Sequence, residues 1–213
     1  MAEKSIESRA FFMQLYIKNS GLPKMYYANT TLKAATDNDL EMFRKLKAIE
    51  EDIVNFVKEG KNLLISSNMV GNGKTTWATK MLKSYVTDYA CYFPFPNQNQ
   101  TPVLYVNFPE FLNRKKLAMS NPDMLEKVKH IEDSIYTAKL VVFDDIATKL
   151  ASDYDKELLY VYINYRTSNK LSTIYTTNIP ASMLRGELGE RVADRIIGYS
   201  ECVEFNGPGR RGC

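Results

Sequence analysis

The chain is poor in cysteine and has no apolar run long enough to cross a bilayer. Its three cysteines, Cys91, Cys202 and Cys213, are an odd number at scattered spacings. That pattern fits neither a disulfide framework nor the paired spacing of a zinc site, so reduced thiols in a cytoplasmic protein are expected. A membrane span needs ~20 consecutive apolar residues, and no segment approaches that length. The apolar patch from Ala10 to Met13 is too short for a signal peptide and is interrupted nearby by Glu7, Arg9 and Gln14. No internal repeat is present. Nor is there a strong excess of charge of either sign: the net charge is +3 and the isoelectric point about 8.6, so the location of the positive residues matters more than their sum.

What the sequence does have is ordinary globular composition. It has 213 residues, 45% of them hydrophobic and 25% charged, enough for one domain of generous size. Residues 1–20 read as a short amphipathic helical extension, with Ile6, Ala10, Met13 and Ile17 near helical spacing and Gly21-Leu22-Pro23 as the break. This helix either packs on its own domain or binds a partner. From Asp39 to Glu59 apolar residues keep a helical period (Met42, Leu46, Ile49, Ile53, Val57), and Gly60 supplies the stop.

Strand and helix then alternate. The apolar runs at 62–67, 102–108, 139–145 and 172–178 read as buried strands, separated by helical stretches at 74–86, 109–119, 122–137 and 156–169. This predicts an α/β fold, a parallel sheet with helices on both faces. The segment "CYFPFPNQNQTP" (91–102) reads as an exposed loop, with base stacking by Tyr92, Phe93 or Phe95 as the alternative.

Chemistry concentrates after the first strand, in "SSNMVGNGKTTW". Backbone amides of a glycine-rich loop can wrap a β-phosphate, a lysine can reach the β and γ oxygens, and a following hydroxyl can ligate Mg²⁺. Gly73, Lys74 and Thr75 supply these groups. The pattern usually opens with glycine where this chain has Asn68; asparagine tolerates left-handed backbone angles, and Gly71 adds freedom inside the loop. Asn68, Met69, Val70 and Gly71, then Asn72 and Thr76, complete the candidate phosphate cradle. The ligand expected is ATP with Mg²⁺.

A phosphate loop also needs a metal-holding carboxylate on a neighbouring strand. "LVVFDD" offers Asp144 for Mg²⁺ and Asp145 to polarise an attacking water. "STIYTTN" delivers Asn178 to the same edge, where an amide can orient water or sense the γ-phosphate. Arg191 and Arg195 lie four apart on a helical stretch, and Arg210 and Arg211 follow the strand-like "CVEF"; arginines can neutralise charge on a transferring phosphoryl group.

Taken in order, "NMVGNGKTT", "VVFDDIA", "YTTN", "GERVADRI" and "VEFNGPGRR" resemble the AAA+ ATPases of the DnaC/DnaI helicase-loader type, which include the helper ATPase of certain insertion elements. "SGLPKMYYANTTLKA" resembles the lead-in to that core, so the similarity spans roughly residues 20–211. It implies an AAA+ domain over 21–213 with no large C-terminal lid. It further implies Lys74 and Thr75 as Walker A, Asp144 and Asp145 as Walker B, Asn178 as sensor 1, Arg195 as an arginine finger acting on a neighbour, and Arg210 or Arg211 as sensor 2. The implied partners are a replicative DNA helicase, single-stranded DNA and further copies of the chain. The family binds single strands through helices inserted between the second and third motif strands; here that region carries Arg114, Lys115, Lys116, Lys127 and Lys129, suited to phosphate contacts.

Two departures stand out. Asp145 occupies a position where many AAA+ proteins have glutamate, and its shorter arm points to slow hydrolysis. Only about twenty residues precede the core, where loaders usually carry a substantial helicase-binding domain; the small size fits a phage-encoded or mobile-element version. The alternatives are a transposition helper of the same family, which should prefer duplex DNA, and a small-molecule kinase, which needs an acceptor pocket and a closing lid.

Overall fold

The computed structural model describes residues 2–28, 32, 37–92, 101–147 and 152–207. Arg210, Arg211 and most of the 91–102 loop lie outside these residues. Helices α1 (Ala2–Asn19), α2 (Leu40–Glu51) and α3 (Ile53–Lys58) precede strand β1 (Asn62–Ser67), which leads through a glycine loop into α4 (Lys74–Tyr92). Then follow β2 (Val103–Asn107), α5 (Phe108–Ala118), α6 (Pro122–Thr137), β3 (Leu140–Asp144), α7 (Asp153–Ser168) and β4 (Ser172–Thr177). Two short helices, α8 (Leu184–Leu188) and α9 (Glu190–Tyr199), lead to β5 (Ser200–Phe205). The five strands form one parallel sheet in the order β2-β3-β4-β1-β5.

Near-continuous apolar strands are what a sheet covered on both faces requires. Alternation within them divides the core: Leu63, Ile65, Val142 and Ile174 face α1–α4, while Leu64, Val141, Phe143 and Tyr175 face α5–α9. Helix starts follow local chemistry. Asn107 Oδ1 accepts from Glu110 N (3.1 Å) ahead of α5, Asn121 Oδ1 accepts from Asp123 N (3.1 Å) ahead of α6, and Ser152 Oγ accepts from Asp155 N (3.2 Å) ahead of α7. Pro109 and Pro122 occupy first-turn positions, where a missing N–H costs nothing.

Two expectations change in detail. The helix over 39–59 breaks at Asp52, whose backbone leaves helical angles (φ −116°, ψ 27°) between α2 and a separate α3. The inward face of α1 is set by Phe12 and Tyr16, four residues apart, whereas Ala10 is exposed. Tyr16 lies edge-on to Tyr89 of α4 at 6.1 Å, so α1 packs on the core beside α4.

A buried arginine ties the α6–α7 layer to the sheet. Arg166 has no exposed surface; its Nε donates to Thr173 Oγ1 (2.9 Å), Nη1 to the carbonyls of Ile135 (2.6 Å) and Ala138 (3.0 Å), and Nη2 to that of Ser172 (2.5 Å).

Candidate functional site

Four groups meet at the carboxyl edge of the sheet, where open α/β sheets commonly place their ligands. The loop after β1 is shaped by Gly71 (φ 82°) and Gly73 (φ 93°), left-handed angles that favour glycine. Asn68 is not among the residues at positive φ, so the turn does not use asparagine's left-handed tolerance there. That is why a side chain can stand where the usual pattern has glycine. Ser67 Oγ accepts from Met69 N (3.0 Å) and from the Asn72 side-chain amide. Lys74 is almost fully buried, and its Nζ donates to Met69 O (2.8 Å) and Asn72 Oδ1 (3.0 Å). The ammonium is thereby held over the mouth of the loop, at the N-terminus of the 19-residue α4, where free amides and the helix dipole favour an anion.

Across the loop stands Asp144, the last residue of β3 and only 3% exposed. Its Oδ1 accepts from Thr75 Oγ1 (2.9 Å) and Thr176 Oγ1 (2.6 Å), and its Oδ2 from Tyr105 Oη (2.7 Å). The expectation that this acid sits on a strand next to β1 is corrected: β4 lies between β1 and β3, and α4 leans Thr75 across it. Burial, then the Asp144 charge and hydrogen bond, push the Tyr105 phenol far above its ordinary pKa, so it stays a donor.

Asp145 leaves the strand in the left-handed region (φ 59°). Its N–H donates to Thr176 Oγ1 (3.0 Å), and its Oδ1 accepts from Asn178 Nδ2 (3.0 Å). The cleft between these groups and the loop measures about 290 Å³; Val70 to Thr76, Asp145 and Asn178 form one side, and Tyr26 and Leu32 the other. Sequence reasoning missed Tyr26, Leu32, Tyr105 and Thr176. Thr176 stood inside the quoted "YTTN", but only strand register reveals that it reaches both acids.

Arg195 is elsewhere. It lies on α9, partly exposed, with Nη1 3.2 Å from Tyr199 Oη, and it does not line the cleft of its own chain. Arg191 on the same face stacks over Tyr160 at 4.2 Å and lies 3.6 Å from Glu157.

The basic residues of α5 and α6 are less available than their spacing suggested. Arg114 pairs with Glu110 (2.6 Å), Lys115 with Glu132 (2.5 Å), and Lys116 with the buried Asp155 (2.9 Å). Lys127 and Lys129 are exposed, with no ion pair among the described residues.

No family model matches the chain. Over 206 residues it is 23% identical to the replicative helicase loader DnaC of Buchnera aphidicola subsp. Acyrthosiphon pisum (strain APS), a match covering 93% of this chain and 76% of the relative. The chain is similar to the DnaC-like AAA+ helicase loaders over most of its length. The fold agrees. A crystal structure of the DnaC helicase loader superposes with a TM-score of 0.65 at 23% identity, covering 86% of this chain and all of that one. A crystal structure of DnaI gives 0.65 at 18% identity, covering 86% and 94%. In this DnaC-like chain no described helix is long and apolar enough to cross a membrane. Cys202 is a free thiol.

Proposed function

We propose that the chain is an ATP-dependent loader for a replicative DNA helicase, one that binds ATP with Mg²⁺, assembles with further copies on single-stranded DNA, and delivers or regulates the helicase. The observation that carries this reading is the meeting of Lys74, Thr75, Asp145 and Asn178 at one cleft, with Asp144 bonded to Thr75 beside it, in a chain similar to loaders named DnaC.

The residues fit a magnesium nucleotide. A carboxylate has about four lone-pair sites; three on Asp144 are taken by hydroxyls. The one left suits a metal-bound water, with Thr75 Oγ1 beside it as an all-oxygen donor set. Among the described residues no group of three acidic, histidine or cysteine side chains forms a cage, which matches an ion completed by phosphates and water. A bound Mg²⁺ would be held by Thr75 and, through water, by Asp144, and would supply charge neutralisation to the phosphates.

In this reading the amides from Gly71 to Thr76 cradle the phosphates, and Lys74 turns from Met69 O and Asn72 Oδ1 towards the γ oxygens. Asp145 accepts a proton from the attacking water, with Asn178 fixing the carboxylate that receives it. Tyr26 and Leu32 offer an aromatic and an aliphatic wall beyond the phosphates, suited to the base. Arg195, outside its own cleft, would reach the nucleotide of a neighbouring subunit, and Arg210 or Arg211 would act as sensor 2. DNA contact rests chiefly on Lys127 and Lys129, with Arg114, Lys115 and Lys116 contributing only if their carboxylate partners release them.

Mass measurement in solution with and without a non-hydrolysable ATP analogue and an oligonucleotide tests the assembly, with growth expected only when both are present. Pull-down with a replicative helicase tests the partner. Absence of any complex in either nucleotide state overturns the loader role, and preference for duplex over single strands points instead to a transposition helper.

A further inference from the structure

The phenol that holds Asp144 belongs to a residue whose backbone is gripped from the opposite direction. β2 is an edge strand, paired among the described residues with β3 alone, so half of its N–H groups face away from the sheet. The N–H of Tyr105 does not go to solvent; it donates to Ser20 O at 2.6 Å. Ser20 has no exposed surface and ends α1 in a fixed turn, its Oγ donating to Ile17 O (2.8 Å) and accepting from Leu22 N (3.2 Å). The next residue, Gly21, holds φ at 74°, and a Cβ there would come within 2.8 Å of Tyr105 O. The last turn of α1 is therefore seated on both the amide and the carbonyl of Tyr105.

The side chain of the same residue reaches the site. Thr75 and Thr176 both bond Oδ1 of Asp144, which leaves Oδ2 to be oriented by Tyr105 alone among these hydroxyls. Rotation of the carboxyl group about its last bond would turn the remaining lone pair away from the loop. The phenol prevents that rotation without occupying the last site.

We propose that Tyr105 is a positioning residue for Asp144, and that through it the seating of α1's final turn on β2 sets how well the cleft takes Mg²⁺. The proposal rests on reading the cleft as a magnesium-nucleotide site. A helix that binds a partner, or is displaced by one, would then alter metal affinity at a distance, and by linkage the bound metal would alter how firmly α1 is seated.

The test is a Mg²⁺ titration of fluorescent-ATP binding, run alongside binding in chelator, for the unmodified chain, Tyr105→Phe, Gly21→Ala and the double variant. Tyr105→Phe removes one oxygen and should raise the Mg²⁺ concentration for half-maximal binding about tenfold, the range seen when outer partners of metal ligands are lost, while metal-free affinity stays put. Gly21→Ala should shift the same midpoint in the same direction. The double variant should shift it by no more than the larger single effect, since both act through one bond. An unchanged midpoint in Tyr105→Phe overturns the positioning role. A shift in Tyr105→Phe with none in a folded Gly21→Ala, or additive shifts, overturns the link to α1; should Gly21→Ala not fold, Ser20→Ala, which frees the turn's hydroxyl bonds, takes its place. If the unmodified chain takes up no magnesium nucleotide, the reading of the cleft fails first and the inference with it.

Discussion

The hydroxyl of Thr176 donates to Asp144 at 2.6 Å from the middle of the sheet, completely shielded from solvent. The same oxygen accepts from the N–H of Asp145, so one small group on β4 sets the positions of two successive acids, the last residue of β3 and the one that follows it. Replacing it by valine keeps the shape and leaves a carboxylate and an amide short of a partner. Thr176→Val should cost about 1.5–3 kcal/mol of stability, the range for bonds to charged groups, and slow ATP hydrolysis. Thr176→Ser should recover both. Denaturant midpoints and phosphate release check this.

Lys74 is held by two neutral oxygens of its own loop, which cost it little to exchange for phosphate. Lys74→Ala should leave the fold intact by circular dichroism and weaken ATP binding on the order of tenfold to a hundredfold, as for the loss of one charged hydrogen bond. Calorimetry measures it directly.

Because Arg195 does not line its own chain's cleft, its loss should be repairable by mixing. Arg195→Ala and Asp145→Asn should each bind ATP and fail to hydrolyse it. Mixed together they should regain part of the activity, since some junctions then pair an intact arginine with an intact acid. Hydrolysis no greater than the sum of the separate variants would refute action between subunits.

Arg166 offers four bonds that no other side chain can replace, three of them to buried carbonyl oxygens. Lysine, with a compact ammonium, cannot span them. Arg166→Lys and Arg166→Met should both lower the thermal midpoint, the latter with a loss of about 3 kcal/mol or more of stability, because each abandoned buried carbonyl costs about 1–3 kcal/mol. Far-ultraviolet melting curves provide the comparison.

Burial pushes Tyr16 and Tyr175 up to about 12, and Tyr85 and Tyr162 are raised as well. The folded state thus favours the neutral phenols. Their stabilisation is complete below the ordinary tyrosine value of about 10 and, for Tyr16 and Tyr175, is lost as pH rises through about 12. Alkaline titration followed by tyrosinate absorbance should show two phases. Tyr160, whose phenol is held below its ordinary value by a hydrogen bond to Arg191, ionises early; the buried set follows together with loss of helical signal. A single early phase in a still-folded protein would contradict this.

The parts of the site legible in the sequence are those whose chemistry is local. Gly73, Lys74 and Thr75 are consecutive, and Asp144 and Asp145 end one apolar run, so spacing alone suffices. The insertion of β4 between β1 and β3 was not legible, because strand order is not chain order. For the same reason Tyr105, 39 residues before Asp144, carried no signal in a run that reads simply as buried strand. The basic stretch over 114–129 misled in the opposite sense: counting neighbours in sequence cannot see Asp155, which reaches Lys116 from another helix. Asn68 could be tolerated for a simpler reason than expected, since the loop bends at Gly71 and Gly73 instead.

The left-handed backbone at residue 145 bears on why its carboxylate is short. Aspartate and asparagine enter that conformation more readily than longer side chains do. A glutamate grafted there would gain reach towards the γ-phosphate and lose conformational ease, and it would overshoot the amide of Asn178. The choice of acid at this point is therefore made by the main chain as much as by the chemistry.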